Sequence, residues 1–439
     1  MHDLRKQVLL ESGKTVSKKA RSKTSTPPQS RTVSRGNSTT ASPAGSRVQS
    51  RAGSEDEAEF SDGTEWSTNS LDASLVEETD EGDEAWAADL DERIEAIIDR
   101  KRSSTEGREQ RIARLITTMS HHFVQKELKP KLNELLSALL KSVKGGQSEA
   151  ETCLALKALA LLLVTDPSED IYDEVQRPFK STIDDSEDST AKIAAIHALS
   201  IATFYGGASL DETQEVMDYF LDIASSDGAN IGEEDNAQVV VACLREWGFL
   251  ATQLDDLEDV TENAMDTFVD QLESNDVGVQ VAAGDNIALL YEASAGDSDS
   301  DDEDDSEATH QRYTVYRQSH QLQKTLEGLA KSASKRISKQ DRKQMHVQFR
   351  DVLNTVEDPS RGPRYNTAFD PVTGREYGSR MKVAIHRAGA NRSSFMIIDK
   401  WWKLHRLNGL KRLLQGGFLV HYEFNQAVYE TLSVSVEDD

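Results

Sequence analysis

Four segments of this chain are apolar on nearly every face and return at an almost constant interval: residues 148–164, 189–204, 235–250 and 276–291. Aligned on Leu159, Leu199, Trp247 and Ile287, they stand 40, 48 and 40 residues apart. A helix that is apolar all round must be covered on several sides, so none of the four is stable as a surface helix. Each opens on a small or acidic run suited to capping a helix. Between them lie amphipathic stretches, 132–143, 171–183, 216–223 and 260–272, which serve as outer partners. Pairing outer with inner gives about four repeats over 93–296, with the period of armadillo and HEAT arrays. The expected fold is therefore all-α: a helical-repeat solenoid, a disordered N-terminal tail and a small, mostly helical C-terminal domain.

The rest of the chain cannot all be core. Only 37% of its 439 residues are hydrophobic and the mean hydropathy is −0.58. Charge is distributed in blocks rather than evenly. Residues 1–53 carry 11 Lys/Arg against 2 Asp/Glu, and 54–92 carry 16 Asp/Glu and no Lys/Arg. Segments so charged and so poor in apolar residues do not offset the entropy of ordering, and 1–92 reads as a basic, then acidic, disordered tail. Within it Lys18, Lys19, Arg21 and Lys23 suit nuclear import or a polyanion, and Ser54, ahead of Glu55-Asp56-Glu57, suits acid-directed phosphorylation. Residues 297–311 read as an acidic disordered insert, eight of the eleven residues 297–307 being Asp or Glu. Ser298 and Ser300 there are further phosphorylation candidates.

Beyond the insert the sign reverses: residues 308–432 carry 22 Lys/Arg against 10 Asp/Glu, within a chain of net charge −27. Residues 312–358 read as a helical continuation, with a helix over 313–333, and a basic connector bearing Lys339, Arg342 and Lys343. The last domain, 359–434, is expected to hold short extended segments at 375–377 and 382–386 and then two helices. In the first, Leu404, Leu407, Leu410 and Leu414 follow Trp401 at helical spacing, surrounded by Lys400, Lys403, Arg406, Lys411 and Arg412. Gly416 and Gly417 end it, with a left-handed glycine expected at the turn. In the second, His421 and Asn425 share a face, four residues apart, and either read RNA or tie the domain internally.

The two cysteines, Cys153 and Cys243, lie in apolar patterns and read as buried free thiols, in keeping with a reducing compartment. No apolar run is long enough to span a bilayer and the N-terminus lacks a signal-peptide core, so a soluble cytoplasmic and/or nuclear protein is expected. His121 and His122 are adjacent and diverge by about 100° on a helix, a poor metal pair. No nucleophile with a base, phosphate-cradling loop or zinc spacing is present. Neither enzymatic activity, cofactor, metal, small-molecule substrate nor sequence-specific DNA binding is expected.

Three stretches resemble the interferon-related developmental regulators. Residues 282–292 (AAGDNIALLYE) are similar to the end of that family's large N-terminal domain, and 349–357 (FRDVLNTVE) to the segment that follows it. Trp401, Leu414, Gly416, Gly417, His421 and Asn425 are similar to its C-terminal signature. Gln415 stands where the family's turn usually has a glycine, Tyr429 where an arginine is usual and Leu432 where a phenylalanine is usual. The resemblance implies an armadillo-type domain, no enzymatic activity, and a regulator of gene expression. Members act as transcriptional co-regulators or as ribosome-bound factors that hold translation silent. The basic C-terminal module favours ribosomal RNA as partner, with Lys400, Lys403, Arg406, Lys411, Arg412, His421, Asn425, Lys339, Arg342 and Lys343 as candidate contacts, and with protein partners on the solenoid. The alternative is a nuclear scaffold recruiting co-repressor complexes.

Overall fold

The computed structural model describes residues 85–100, 103–295, 312–331, 339–369, 371, 374, 376–379, 381–385, 394–433 and 436–438, all within one unit that spans 60–439. Lys18, Lys19, Arg21, Lys23, Ser54, Ser298, Ser300 and the insert 297–311 lie outside the described residues.

The chain opens with α1 (Ala85–Ile98), α2 (Thr105–His121), the short α3 (Gln125–Leu128) and α4 (Leu132–Gly145). Helix α1 starts inside the stretch assigned to the tail, because Leu90 and Ile94 are buried and Trp86 stacks on His122 with ring centroids 4.6 Å apart. Then the repeats follow as pairs: α5 (Glu149–Thr165) with α4, α6 (Glu169–Asp185) with α7 (Ser189–Tyr205), α8 (Leu210–Ser225) with α9 (Ala237–Ala251), and α10 (Glu258–Gln271) with α11 (Val277–Ala295).

The inner helices begin where a short polar side chain satisfies the first free amides. The Ser148 hydroxyl accepts from the Glu151 amide at 3.1 Å, Asp188 from Ala191 at 2.9 Å and Asp276 from Val279 at 3.1 Å. They then stack in a row, α5 on α7, α7 on α9, α9 on α11, and the outer helices cover one side. Almost every side chain of α5, α7 and α9 is buried, including Trp247 at 2% exposure. Cys243 is buried, as expected, whereas Cys153 is only half-buried, beside Thr190 of the next inner helix.

Two further helices, α12 (Ser319–Lys331) and α13 (Lys339–Glu357), add another pair, α13 packing on α11. Helix α12 begins later than the sequence indicates, since Tyr313, Val315 and Tyr316 lie in the connecting segment that covers α10 and α11, with Val315 buried.

After α13 come five strands that the apolar pattern left mostly unmarked: β1 (Tyr365–Phe369), β2 (Glu376–Ser379), β3 (Met381–Ile385), β4 (Ser394–Ile398) and, at the C-terminus, β5 (Val436–Asp438). Among the described residues β1 and β2 form a two-stranded antiparallel ribbon with a bulge between Asn366 and Phe369, and β3, β4 and β5 a sheet in that order. Helices α14 (Trp401–Leu414), α15 (Phe418–Phe424) and α16 (Gln426–Thr431) lie between β4 and β5 and seat on the solenoid.

Candidate nucleic-acid interface

Helix α14 lies across the inner helices α5, α9 and α11. Leu404, Leu407, Leu410 and Leu414 are buried as their spacing predicts, but so are Leu413, His405 and Arg412. The helix is thus enclosed rather than amphipathic on a surface. Close approach is set by two glycines: a Cβ on Gly409 would stand 2.7 Å from the Phe249 ring, and one on Gly248 would stand 2.2 Å from Asn286 Oδ1 and 2.5 Å from the His405 ring.

Its N-terminus is received by a carboxylate. Glu292 of α11, 8% exposed, accepts from the Trp401 amide at 2.8 Å and the Trp402 amide at 3.1 Å. These are free first-turn amides, at the positive end of the helix dipole. Burial nevertheless pushes Glu292 up to about 7, against the opposing pull of those amides and of Lys400. The Trp401 indole N–H donates to Thr355 Oγ1 of α13 at 2.8 Å. His405 Nε2 donates to the Asp285 carbonyl at 3.3 Å, and burial holds its imidazole down to about 4.

Near the other end an ion pair sits inside the protein. Arg412 Nη2 donates to Glu246 Oε1 at 2.6 Å, and His197 Nδ1 meets the same oxygen at 2.6 Å. Desolvation alone would raise the Glu246 carboxyl, but Arg412 and His197 outweigh it and hold it at about 2. With Arg412 4% exposed and Glu246 2% exposed, the pair neutralises charges that would be costly alone.

The five cations expected to meet phosphate therefore differ in what they offer. Arg412 is committed to Glu246 and faces no solvent. Arg406 donates to Thr252 Oγ1 at 2.9 Å and to the Thr431 carbonyl at 3.0 Å, with its guanidinium between the Trp402 and Phe204 rings at 4.9 and 5.6 Å. Lys403 pairs with Asp399 at 2.6 Å and its side chain is 15% exposed. Lys400 and Lys411 are half-buried, and burial pushes the Lys411 ammonium down. The inward turn has a simple cause: Glu246 and the Thr252 carbonyl on the solenoid, and Asp399 and the Thr431 carbonyl in the C-terminal domain itself, lie within reach of Arg412, Arg406 and Lys403, and the leucines fix the helix so that these side chains extend toward them.

His421 and Asn425 are internal ties. His421 Nε2 donates to the Met119 carbonyl at 2.8 Å, which leaves Nδ1 to accept from Asn425 Nδ2 at 3.5 Å. Asn425 Nδ2 also donates to the Val164 carbonyl at 2.9 Å, while Oδ1 accepts from the Ala427 amide and caps α16. The pair thereby pins α15 and α16 to the C-terminal ends of α2 and α5. Tyr205 donates to Thr431 Oγ1 at 2.9 Å, since that hydroxyl already donates to the Ala427 carbonyl.

At the turn, the glycines do not take the left-handed role expected of them. Gln415 carries the positive φ, 49°, and Gly417 (φ −86°) serves close approach, since a Cβ there would lie 1.6 Å from the Ser120 carbonyl oxygen.

Of the remaining candidates, Arg342 is half-buried on α13, where the backbones of Lys339 and Lys343 also lie. Cations left on the surface include Arg350 of α13 and Lys382 of β3, neither named among the contacts by the sequence. The sequence reading also passed over Glu246, Glu292 and His197. Their signal was present, because each is a charged or titratable residue inside an otherwise apolar inner helix. Among the described residues no helix is long and apolar enough to cross a membrane, and no three His, Cys, Asp or Glu side chains gather as a metal site.

The family model described as interferon-related developmental regulator matches residues 59–357. An uncharacterized protein of Schizosaccharomyces pombe is 27% identical over 288 residues, 64% of this chain and 64% of the relative, so the chain covers less than two thirds of that protein's length. Interferon-related developmental regulator 1 of Mus musculus is 22% identical over 359 residues, 78% of this chain and 72% of the relative, and its Homo sapiens counterpart is 21% identical over 358 residues.

Proposed function

This chain belongs to the interferon-related developmental regulator family, and from that membership we propose a non-enzymatic regulator of gene expression that acts on translation by binding ribosomal RNA. The observation that carries the reading is the segregation of charge. Residues 166–276 hold 28 Asp/Glu against 4 Lys/Arg, and 308–432 hold 22 Lys/Arg against 10 Asp/Glu. An acidic repeat domain repels RNA and is free to meet proteins, while a basic segment laid across its inner helices meets phosphates. Because Arg406 and Arg412 are spent inside, the phosphate-facing cations are Arg350, Lys382, Lys400 and Lys411. The protein then works in the cytoplasm.

The second reading, a nuclear scaffold for transcriptional co-regulators, is favoured by a separate observation. Asp211, Glu215, Asp218 and Asp222 of α8 are exposed along an outer helix, which suits a basic protein partner.

Cosedimentation with salt-washed ribosomes across a salt series separates the two. The translational reading expects wild type to pellet at low salt and to be released as salt rises, and an Arg350→Glu/Lys382→Glu variant to be released earlier. A protein that stays in the supernatant at every salt concentration refutes it and leaves the nuclear scaffold.

A further inference from the structure

One side of α15 is left open among the described residues. Phe418, His421, Tyr422 and Asn425 are buried, while Glu423 is exposed, Val420 is half-buried and Phe424 is 62% exposed. Val420 and Phe424 stand four residues apart and so share a face, opposite the one by which the helix is fastened.

The place of that face in the fold gives it an occupant. His421 meets the Phe123 ring edge-on, with centroids 6.3 Å apart. Phe123 follows His122, on which Trp86 of α1 stacks at 4.6 Å. The path from α15 to the start of α1 therefore runs from ring to ring, and there the chain passes into residues 1–84, which lie outside the described residues. The sequence changes character close to this point. Residues 17–59 contain no aromatic residue and no Leu, Ile or Met, whereas 60–76 contain Phe60, Trp66, Leu71, Leu75 and Val76. The change falls where the family match begins, at residue 59. Residues 77–84 then hold six Asp/Glu and no Lys/Arg and lead into α1, which packs on α3. Lys126 of α3 and Lys129 just after it are exposed, so a run of acids enters beside two surface cations.

We propose that residues 60–76 dock in cis on the Val420–Phe424 face of α15, with Trp66, Leu71 and Leu75 supplying the apolar contacts. Reach is sufficient, since the chain from Ala85 back to Val76 spans up to about 30 Å and back to Leu71 up to about 46 Å. Covalent attachment also decides between occupants. Two side chains on a helix of seven residues fall far short of the roughly 800 Å² per partner that a stable complex of separate molecules buries, whereas a tethered segment binds at millimolar effective concentration and needs less. The family's domain then starts at residue 60 rather than at α1, and its first residues close over its last helices.

The test is hydrogen exchange of the full chain, read by mass spectrometry. Amides of 60–76 should exchange at least about tenfold more slowly than those of 1–53, after correction for intrinsic rates. Phe424→Ser and Leu71→Ser/Leu75→Ser should each abolish that protection while leaving α5 and α7 protected as in wild type, which separates undocking from unfolding. Phe424→Leu, which keeps an apolar side chain, should retain most of it. Wild-type 60–76 exchanging like 1–53, or protection indifferent to Phe424→Ser, overturns the proposal. Protection that appears only as the protein is concentrated assigns the face to a second copy and overturns docking in cis.

Discussion

Arg412 offers the sharpest test of how α14 is held. Arg412→Met keeps the length and bulk of the side chain and removes its charge, so Glu246 stays buried with His197 as its remaining partner. The wild-type carboxyl sits at about 2 where 4.5 is ordinary, and Arg412 is the largest of the influences that lower it. At about 1.4 kcal/mol for each tenfold change in acidity, that displacement corresponds to about 3 kcal/mol, in line with the cost of removing one member of a buried pair. Replacing both members by apolar residues, Glu246→Leu with Arg412→Met, avoids an isolated charge and should recover most of the loss. Hydrogen exchange at the α14 amides reads the effect locally, and protection should fall by about a hundredfold in the single variant and by much less in the double. If the two single losses simply add in the double variant, the charges are not coupled and the account of α14 fails.

The docked interface carries two titrations of opposite sign. His405, held at about 4 instead of 6.5, contributes stability above pH 6.5 that is lost as pH falls toward 4; Glu292, raised to about 7 from 4.5, contributes stability below pH 4.5 that is lost as pH rises toward 7. Wild-type α14 protection should change little between pH 4.5 and 6.5, whereas Glu292→Gln should uncover a loss of about 2–3 kcal/mol on acidification over that window; a variant profile parallel to wild type would contradict the assignment. Gly417→Ala should detach α15 from α2, since the new methyl meets the Ser120 carbonyl, and should cost several times the ~1 kcal/mol of an ordinary surface change, seen as new protease cleavage near 415–425. Gln415→Gly should raise the thermal midpoint, by about 1 kcal/mol in stability, because a residue with a Cβ is held at φ 49°; a fall would mean that the glutamine side chain's own contact outweighs the strain.

The repeat helices were legible because their information is local. Apolarity on all sides, a capping residue and a spacing near 40 residues sufficed to place α5, α7, α9 and α11 with their outer partners. Helix α14 was legible as a helix but not in its setting. Its leucines mark one buried face, and nothing near Arg406 or Arg412 in sequence says that Thr252 and Glu246 will close over the other. A cation on a helix reads as solvated or phosphate-bound until its buried acid is found, and Glu246 lies 166 residues away. Strands β2 and β3 overlap the expected extended segments at 375–377 and 382–386, but β1, β4 and β5 escaped for a different reason: segments of three to five residues are too short to show a period.

The tie between His421 and the Met119 carbonyl joins residues 302 positions apart. At translation rates of about 5–20 residues per second, the earlier partner leaves the ribosome some 15–60 s before the later one. From the completion of α11 at Ala295 until His421 is made, 126 residues and about 6–25 s later, the inner helices are complete but uncovered, with Glu246 and Glu292 set in an apolar surface and facing water. A nascent chain of this protein therefore carries a sticky, half-finished face over the last third of its synthesis. Its last forty residues act as an internal chaperone, and truncations within them should be cleared as misfolded protein rather than accumulate as a shortened solenoid.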